Sequence, residues 1–478
     1  MLPAPMMPSE SDMGSARVEE RSGSAPARRC RACDPPRRSG RAVSAPRYAS
    51  NMGSTGGAAK RVAIVGAGIV GLSTAWWLAR RGVPSIVIDR EDPLESASAG
   101  NAGLLSIGHY PLTKPGASWR GLRWMASRRS PLYIRPTLDP RVLSWLWTFH
   151  RHCNAAWSDR CLAALCRLGF PALDAFETIL REESIECEYA RDGWLDVAAT
   201  RASLDHALAE ARALEPFGYS IARIDGDSLR REHPVFRRGI AGAIHYRDSA
   251  RCHPGRFLEG LLGAARRRGV EVRLGATVES VFPRVRLASG EQIGADAVVV
   301  AAGAWSSELV EPLGVRLPLV AARGYHLHYD SVPAMPGTGC VLRESSIAVT
   351  PMGSSLRLAG TLEIGSIGRP WLRERIEAIV DGASKALEGV ERFGPAREWA
   401  GYRPCTPDGM PVIGEHRLER GASASSPRVF VATGHAMMGM TLGPISGRLI
   451  SELVLGEPPS ADLSMLATDR FGRRPVTA

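Results

Sequence analysis

Residues 61–90 read RVAIVGAGIVGLSTAWWLARRGVPSIVIDR, and this stretch decides the fold. Arg61 to Val65 is a mostly apolar, Val- and Ile-rich run, which predicts a strand buried on both faces. Val65 leads directly into Gly66-Ala67-Gly68-Ile69-Val70-Gly71. Gly66 suits a tight turn, Gly68 lets backbone come close to a pyrophosphate, and Gly71 lets the following helix pack on the strand. The pattern predicts a helix from about Ile69 to Arg80, with Gly82 as its C′ residue. Its N-terminus presents unpaired N–H groups and a positive dipole end to phosphates. Ser85 to Ile88 predicts a second buried strand, ending in Asp89-Arg90. Asp89 lies 18 residues beyond Gly71, where a carboxylate accepts a ribose hydroxyl. A bare GxGxxG is weak evidence. Flanked by two strands, a helix and this carboxylate, it indicates a dinucleotide site.

The chain has 478 residues, enough for roughly two to three domains, and 44% hydrophobic residues, enough for a sizeable core. Its formal charge of +11 is unevenly placed. Residues 1–59 hold nine Arg, five acidic residues and no Lys, and are rich in Ser, Pro, Gly and Ala with almost no large apolar residues. Such a segment buries too little to offset its ordering entropy, so it is expected to be disordered. Met52, just ahead of the first strand, is an alternative start. The segment lacks the apolar core of a secretory signal, and its acidic residues argue against a transit peptide. No basic stripe is interleaved with aromatics, which counts against nucleic-acid binding. No apolar run approaches the length of a transmembrane helix. Nine irregularly spaced cysteines fit reduced thiols, in keeping with a cytoplasmic protein. Cys30-Arg-Ala-Cys33 has redox or zinc spacing, but no second pair follows it and no metal site is expected. Basic surface charge leaves peripheral contact with the inner face of the cell membrane open.

Further along, residues 95–105, ESASAGNAGLL, are small and glycine-rich, suited to a loop that wraps a flat ligand through backbone N–H groups. Residues 111–250 change character, with Trp-rich amphipathic helices at Arg120–Met125 and Pro140–Cys153, a longer amphipathic helix at Leu162–Glu183 and strands at 193–198 and 242–246. They do not repeat the first βαβ unit and read as an inserted domain. A buried strand at 296–302 ends in the small-residue turn Gly303-Ala304-Trp305. Strands are expected at 317–329, 347–351 and 356–362, followed by a helix over 370–387. Toward the C-terminus, a buried strand at 429–432, the loop Gly434-His435-Ala-Met437-Met438-Gly439-Met440-Thr441 and a helix from Ile445 repeat the strand–glycine–helix theme.

These motifs resemble the flavin-dependent D-amino-acid oxidase superfamily. The likeness is strongest to bacterial D-amino-acid dehydrogenases, including those acting on D-proline-type imino acids. Four stretches carry it, from about Arg61 to Arg470: VAIVGAGIVGLSTAWWL, SAGNAGLLS, VVVAAGAWS, and AGYRPCTPDGMPVIG with ATGHAMMGMTLGP. The fold class implied is α/β: a Rossmann-type FAD-binding domain with an inserted mixed-sheet substrate domain. Its expected parts are 60–110, 253–314 and 401–470 for the FAD domain, 111–252 and 315–400 for the substrate domain, and a tail at 471–478.

The resemblance implies FAD, with its pyrophosphate over Val65 to Gly71 and its ribose at Asp89 and Arg90. The isoalloxazine would lie beside Ser98, Asn101, Ala102, Gly103, Leu104 and Leu105. Val278 would pass the adenine, Ala302, Gly303 and Trp305 would flank the cofactor, and Gly434, His435, Gly439, Met440 and Thr441 would cover the ring's pyrimidine end. Arg403 matches the family's carboxylate-binding arginine, and Tyr325 a pocket tyrosine. His109, Met437 and Met438 complete the implied substrate contacts. Relatives often carry another residue type at Met437 or Met438, and a Met pair implies an apolar, adaptable pocket. No flavin-attachment pattern is evident, so FAD is expected to be non-covalent. His109 and His435 are expected to make structural hydrogen bonds rather than serve as a base, so no catalytic residue is assigned.

The implied reaction is oxidative deamination of a D-amino or imino acid, with electrons passing to a quinone or another acceptor. Three readings compete with it. An O₂-using oxidase of the glycine or sarcosine type shares every motif. An NAD-dependent dehydrogenase has no use for the Gly434 loop. A non-catalytic protein on the same scaffold has no need of Arg403.

Overall fold

The computed structural model describes residues 61–472 except 109, 110, 126, 366 and 418–425. The expected disorder of 1–59, the Cys30/Cys33 pair, Met52, His109 and most of the C-terminal tail lie outside the described residues.

The sequence stretch quoted above builds the centre of a six-stranded sheet. Its strand order is Val412–His416, Arg428–Thr433, Ala297–Val300, Val62–Val65, Ser85–Ile88, Glu271–Arg273. All neighbours are parallel except Val412–His416, which runs antiparallel to Arg428–Thr433. The strands Val62–Val65, Ser85–Ile88 and Ala297–Val300 are buried throughout and, Ser85 apart, apolar, as suits strands covered on both faces. The helix Ile69–Ala79 packs against Gly439–Val454 and Pro254–Arg267. The first contact is close because Gly447 has no Cβ; one would stand 2.6 Å from the backbone of Ser73 and Thr74. Ile69–Ala79 ends in a Schellman motif. Val83 N–H donates to Leu78 O and Gly82 N–H to Ala79 O, each at 3.0 Å, with Gly82 at φ +73.

The second sheet is mixed. Its order is Arg397–Cys405, Val320–Tyr329, Ser355–Ile364, Ile347–Met352, Gly339–Leu342, Trp194–Ala198, Gly242–Tyr246, Ile221–Asp225, with Leu132–Ile134 pairing onto Ser355–Ile364. The boundary expected at 401 falls inside the unbroken strand Arg397–Cys405, which pairs with Val320–Tyr329 from Cys405 to Arg397. Arg403 is therefore carried by the second sheet. The Pro and Gly content of this segment hid the strand; a sheet-edge position tolerates Pro404 because one side of an edge strand needs no ladder donors. The helix Pro140–His152 starts where Asp139 accepts from Arg141 N–H at 2.8 Å and Pro140 takes the first position.

Candidate active site

The glycine loop is shaped by two different constraints. Gly66 sits at φ +114, and a Cβ there would run into the Ala301 carbonyl. A Cβ on Gly71 would overlap the carbonyl oxygen of Gly66. These two glycines are demanded by the protein's own packing. Gly68 is not: its added Cβ would meet only Ser98 Oγ, at 3.1 Å. The space left there belongs to a cavity that Gly66, Gly68, Ile69 and Val70 line. Ser98 Oγ accepts from Ile69 N–H at 3.0 Å, and Asp89 accepts from Ala67 N–H at 2.6 Å. Asp89 therefore stands against the loop at the end of the second strand.

The cavity measures about 1560 Å³. A single small-molecule site occupies roughly 300–1,000 Å³, so there is room for a dinucleotide cofactor and a substrate together. At one end it is lined by Val278, Ala302, Gly303 and Trp305, with the Arg90 guanidinium 4.0 Å from the Trp305 ring centroid. At the other end Arg343 pairs with Asp196 and Glu210, and Lys114 with Glu210 at 2.6 Å. These charges largely satisfy one another, although burial pushes the Asp196 carboxyl up to about 6.

Between these ends, the 98–105 loop is held from behind by the second sheet. Arg357, buried, donates to Ala99 O at 3.0 Å and to Asn101 O at 2.5 Å. His326 Nδ1 donates to Gly100 O at 2.9 Å and stacks on Trp399 with ring centroids 4.9 Å apart. Burial and the nearby Arg357 hold His326 down to about 2, so its ring is neutral. Trp399 lies where a Cβ of Gly100 would be. Three successive carbonyls are thus turned toward the sheet, and the loop is fixed by residues the sequence reading did not single out.

The C-terminal loop closes the cavity from the other side. Gly434 at φ +80 and Ala436 at φ +47 make the turn, and Ala436 N–H donates to Pro404 O at 3.0 Å. His435 is buried and its pKa falls to about 4 for that reason. Ser446 Oγ gives its proton to Leu442 O, so His435 Nε2 donates to Ser446 Oγ, at 2.8 Å. This hydrogen bond lies within the protein, and His435 also lines the cavity. Met437 and Met438 line the cavity, and the helix Gly439–Val454 begins at it with Gly439, Met440 and Thr441.

Arg403 lines the same cavity. Among the described residues its side chain has no hydrogen-bond or ion-pair partner, and burial lowers its pKa. Its guanidinium lies over Gly324 on the neighbouring strand; a Cβ there would be 2.6 Å from Cζ and Nη2.

Of the other expected contacts, Asn101, Ala102 and Leu104 line the cavity. Ala67, Gly71, Gly103, Leu105 and Gly434 do not line it and instead shape its walls. Tyr325 is placed elsewhere. It is fully buried on the other face of Val320–Tyr329, where its hydroxyl donates to Glu363. Successive strand residues face opposite ways, and Gly324 occupies the Arg403 side. Among the described residues there is no cluster able to hold a metal, every cysteine is unpaired, and no helix is long and apolar enough to cross a membrane.

The family described as DAO, FAD dependent oxidoreductase, matches residues 61–453. A D-amino acid dehydrogenase of Cereibacter sphaeroides is 30% identical over 428 residues, 86% of this chain and 95% of that protein. One of Xylella fastidiosa is 32% identical over 427 residues, with the same coverage. Among solved structures, glycine oxidase from Geobacillus kaustophilus aligns over 86% of this chain and 99% of its own, at TM-score 0.67 and 21% identity. L-proline dehydrogenase from P. horikoshii aligns over 87% and 98%, at TM-score 0.66 and 15% identity. The chain belongs to the DAO family of FAD-dependent oxidoreductases, and its cofactor is FAD.

Proposed function

We propose that the protein oxidatively deaminates D-amino acids, D-proline-type imino acids among them, and passes the electrons to a quinone or similar acceptor. The observation that carries this reading is Arg403, a guanidinium without a partner among the described residues, in the wall of the cavity beside the expected flavin loops. The relatives' names, D-amino acid dehydrogenase, support the substrate class.

FAD, held non-covalently along Gly66–Gly71, Asp89 and the 98–105 loop, supplies the hydride acceptor. The chain's own residues do the rest. Arg403 grips the substrate carboxylate, for which a planar guanidinium fork is suited. That fixes which face of Cα is presented, and orientation of this kind lowers barriers by several kcal/mol. Met437 and Met438 offer the substrate side chain an apolar, adaptable wall. Neutral His435 and His326 add no charge near the substrate at pH 7. The first turn of Gly439–Val454 points its dipole into the cavity, where it stabilises developing negative charge. The imine from a primary amino acid is released to water, which hydrolyses it to a 2-oxo acid and ammonia; the cyclic imine from a proline-type substrate keeps its nitrogen.

Peripheral membrane contact is part of this proposal. The helices Ala117–Trp124 and Pro140–His152 line the cavity with one face and expose Trp119, Leu143 and Trp147 on the other. His150 sits between the two tryptophans, with ring centroids 6.3 and 6.0 Å away, and Arg123 and Arg151 are exposed on the same helices. Aromatic and cationic side chains together suit an anionic bilayer surface, and an acceptor dissolved there would reach the cavity's rim.

The test is Arg403→Ala, assayed with a D-amino acid, its L-enantiomer and its amide, under argon with a dye acceptor and in air with peroxide detection. Removing a desolvated charge contact costs on the order of 2–5 kcal/mol. Wild type should prefer the D-acid over the amide, and the variant should nearly lose that preference while keeping its FAD. An equal preference in both removes Arg403 as the anchor. Dye reduction without peroxide separates the dehydrogenase from the oxidase.

A further inference from the structure

We propose that Thr361 is a substrate-binding residue whose hydroxyl donates to the same carboxylate that Arg403 holds; this rests on the amino-acid reading above.

Three features single it out. First, the pairing between Val320–Tyr329 and Ser355–Ile364 slips by one residue. Gly324 pairs with Leu362 and Tyr325 with Gly360, which leaves Thr361 as the extra residue of a β-bulge. Bulges next to active sites re-aim a side chain. Second, Thr361 sits at φ +54. A β-branched residue is a genuine outlier in that region, and glycine or asparagine would relieve it. Third, Thr361 is 6% exposed, its Oγ1 is buried without a partner, and the residue lines the cavity. Among the described cavity-lining residues, two other buried side-chain polar atoms lack partners, Ser106 Oγ and Trp194 Nε1, and neither residue has a positive φ.

A strained backbone and an unsatisfied hydroxyl are both unfavourable, and neither is returned by a contact within the protein. Strain of this kind collects at ligand clamps, where the surroundings hold it in place. The neighbouring chemistry identifies the ligand group. The Leu362–Gly324 pair adjoins the bulge, and Gly324 is the residue over which the Arg403 guanidinium lies. A group within reach of both a guanidinium and a hydroxyl donor is an anionic oxygen pair, and a carboxylate has lone pairs for both.

The experiment uses the FAD-loaded full chain with Thr361→Val, Thr361→Ser, Thr361→Gly, Arg403→Ala and the Val/Ala double variant. Valine keeps the branch and the strain and removes only the hydroxyl. Losing a hydrogen bond to a charged group is worth roughly 10- to 100-fold. Thr361→Val should lose about that in kcat/KM for a D-amino acid but little for its amide, and Thr361→Ser should restore most of it. Thr361→Gly should lose the hydroxyl's contribution yet unfold at a higher temperature. In the Arg403→Ala background the Val substitution should cost much less, because the two residues share one ligand group. Titration with isobutyrate, a carboxylate without an amine, read from the flavin spectrum, requires no turnover. It should show weaker binding to Thr361→Val by a similar factor. If wild type binds isobutyrate but oxidises no D-amino acid, the substrate reading fails while Thr361 is still tested. If Thr361→Val binds isobutyrate as wild type does, or loses activity equally on acid and amide, the hydroxyl is not a carboxylate donor.

Discussion

Arg403 and Gly324 occupy one spot on the second sheet: a Cβ added to Gly324 would lie 2.6 Å from Cζ and Nη2 of Arg403. The absence of a side chain on one strand is what lets the guanidinium of the next strand settle in the cavity wall. Gly324 has no positive φ, so its backbone tolerates other residues. Gly324→Ala should therefore fold and hold FAD normally while pushing the flexible end of Arg403 aside. A displacement of about 1 Å in a positioning group costs up to roughly 100-fold in rate. Steady-state kinetics should show KM for a D-amino acid raised by about 10- to 100-fold. Wild-type KM in this variant would mean that Arg403 is not held where substrate needs it.

The glycine loop makes two opposite predictions three residues apart. Gly71→Ala drives a Cβ into the backbone oxygen of Gly66. Neither partner can move without shifting the strand or the helix, so the variant should be strongly destabilised, with or without cofactor. Gly68→Val meets only the Ser98 hydroxyl inside the protein and projects into the cavity. That chain should fold, yet purify without flavin absorbance, because the branch fills the space where backbone meets pyrophosphate. Circular dichroism melts and the absorbance ratio of the purified proteins separate the two outcomes. A yellow Gly68→Val would place the cofactor elsewhere.

The difference between these glycines and the rest of the site also explains what could be read from the sequence. Gly71, Gly82 and Asp89 act on Gly66, Ala79 and Ala67, no more than 22 residues away, so local rules reach them, and Gly66 is legible from the same motif although its Cβ would meet the distant Ala301. Arg357 and His326 hold carbonyls 258 and 226 residues distant in sequence, and no local pattern announces such a contact. The apolar runs at 62–65, 85–88 and 297–300 gave up their strands readily because both faces are buried. Arg397–Cys405, half-buried at a sheet edge and interrupted by glycine and proline, did not. The family resemblance implies Tyr325 as a pocket tyrosine. Which of Gly324 and Tyr325 faces the cavity depends on the orientation of the strand in the folded sheet, and there it is Gly324 that lies under Arg403. The Thr361 bulge beside them is likewise invisible in the composition of either strand.

Buried neutral histidine sets an acid limit. The pKa of His435 is lowered to about 4 by burial, against about 6.5 when unfolded. A depressed folded pKa means that the unfolded chain binds the proton more readily. The contribution is therefore fully present above pH 6.5 and is lost as pH falls toward and through 4. The shift corresponds to about 3 kcal/mol at most. His435→Gln retains a donor toward Ser446 without the titration. Melting temperatures measured from pH 7 to pH 4 should fall less steeply for His435→Gln than for wild type. Parallel curves would mean that other groups, such as His253 and His328, whose pKa values are also lowered to about 4 by burial, carry the acid sensitivity.

The last prediction concerns the exposed aromatic face beside the cavity rim. Trp119 and Trp147 are 67% and 65% exposed, which is costly for residues that would otherwise bury much of their surface. Neither lines the cavity, so replacing both with alanine should leave dye-linked activity unchanged. On an anionic bilayer the two rings would each remove apolar area from water, worth up to about 1.5–3 kcal/mol apiece when fully buried. Partial burial at the headgroup level reduces that, so the double variant should bind vesicles containing phosphatidylglycerol roughly 10- to 100-fold more weakly. Arg123→Ala with Arg151→Ala should weaken binding by about 1 kcal/mol per residue and make what remains less salt-sensitive. Vesicles of phosphatidylcholine alone should bind poorly in every case, since the cationic term needs a negative surface. Reduction of a quinone embedded in the vesicles should fall with binding, whereas reduction of a soluble dye should not. If the tryptophan variant binds vesicles as wild type does but changes from dimer to monomer by light scattering, the face is a contact between two copies of this chain. The acceptor would then have to reach the cavity from solution.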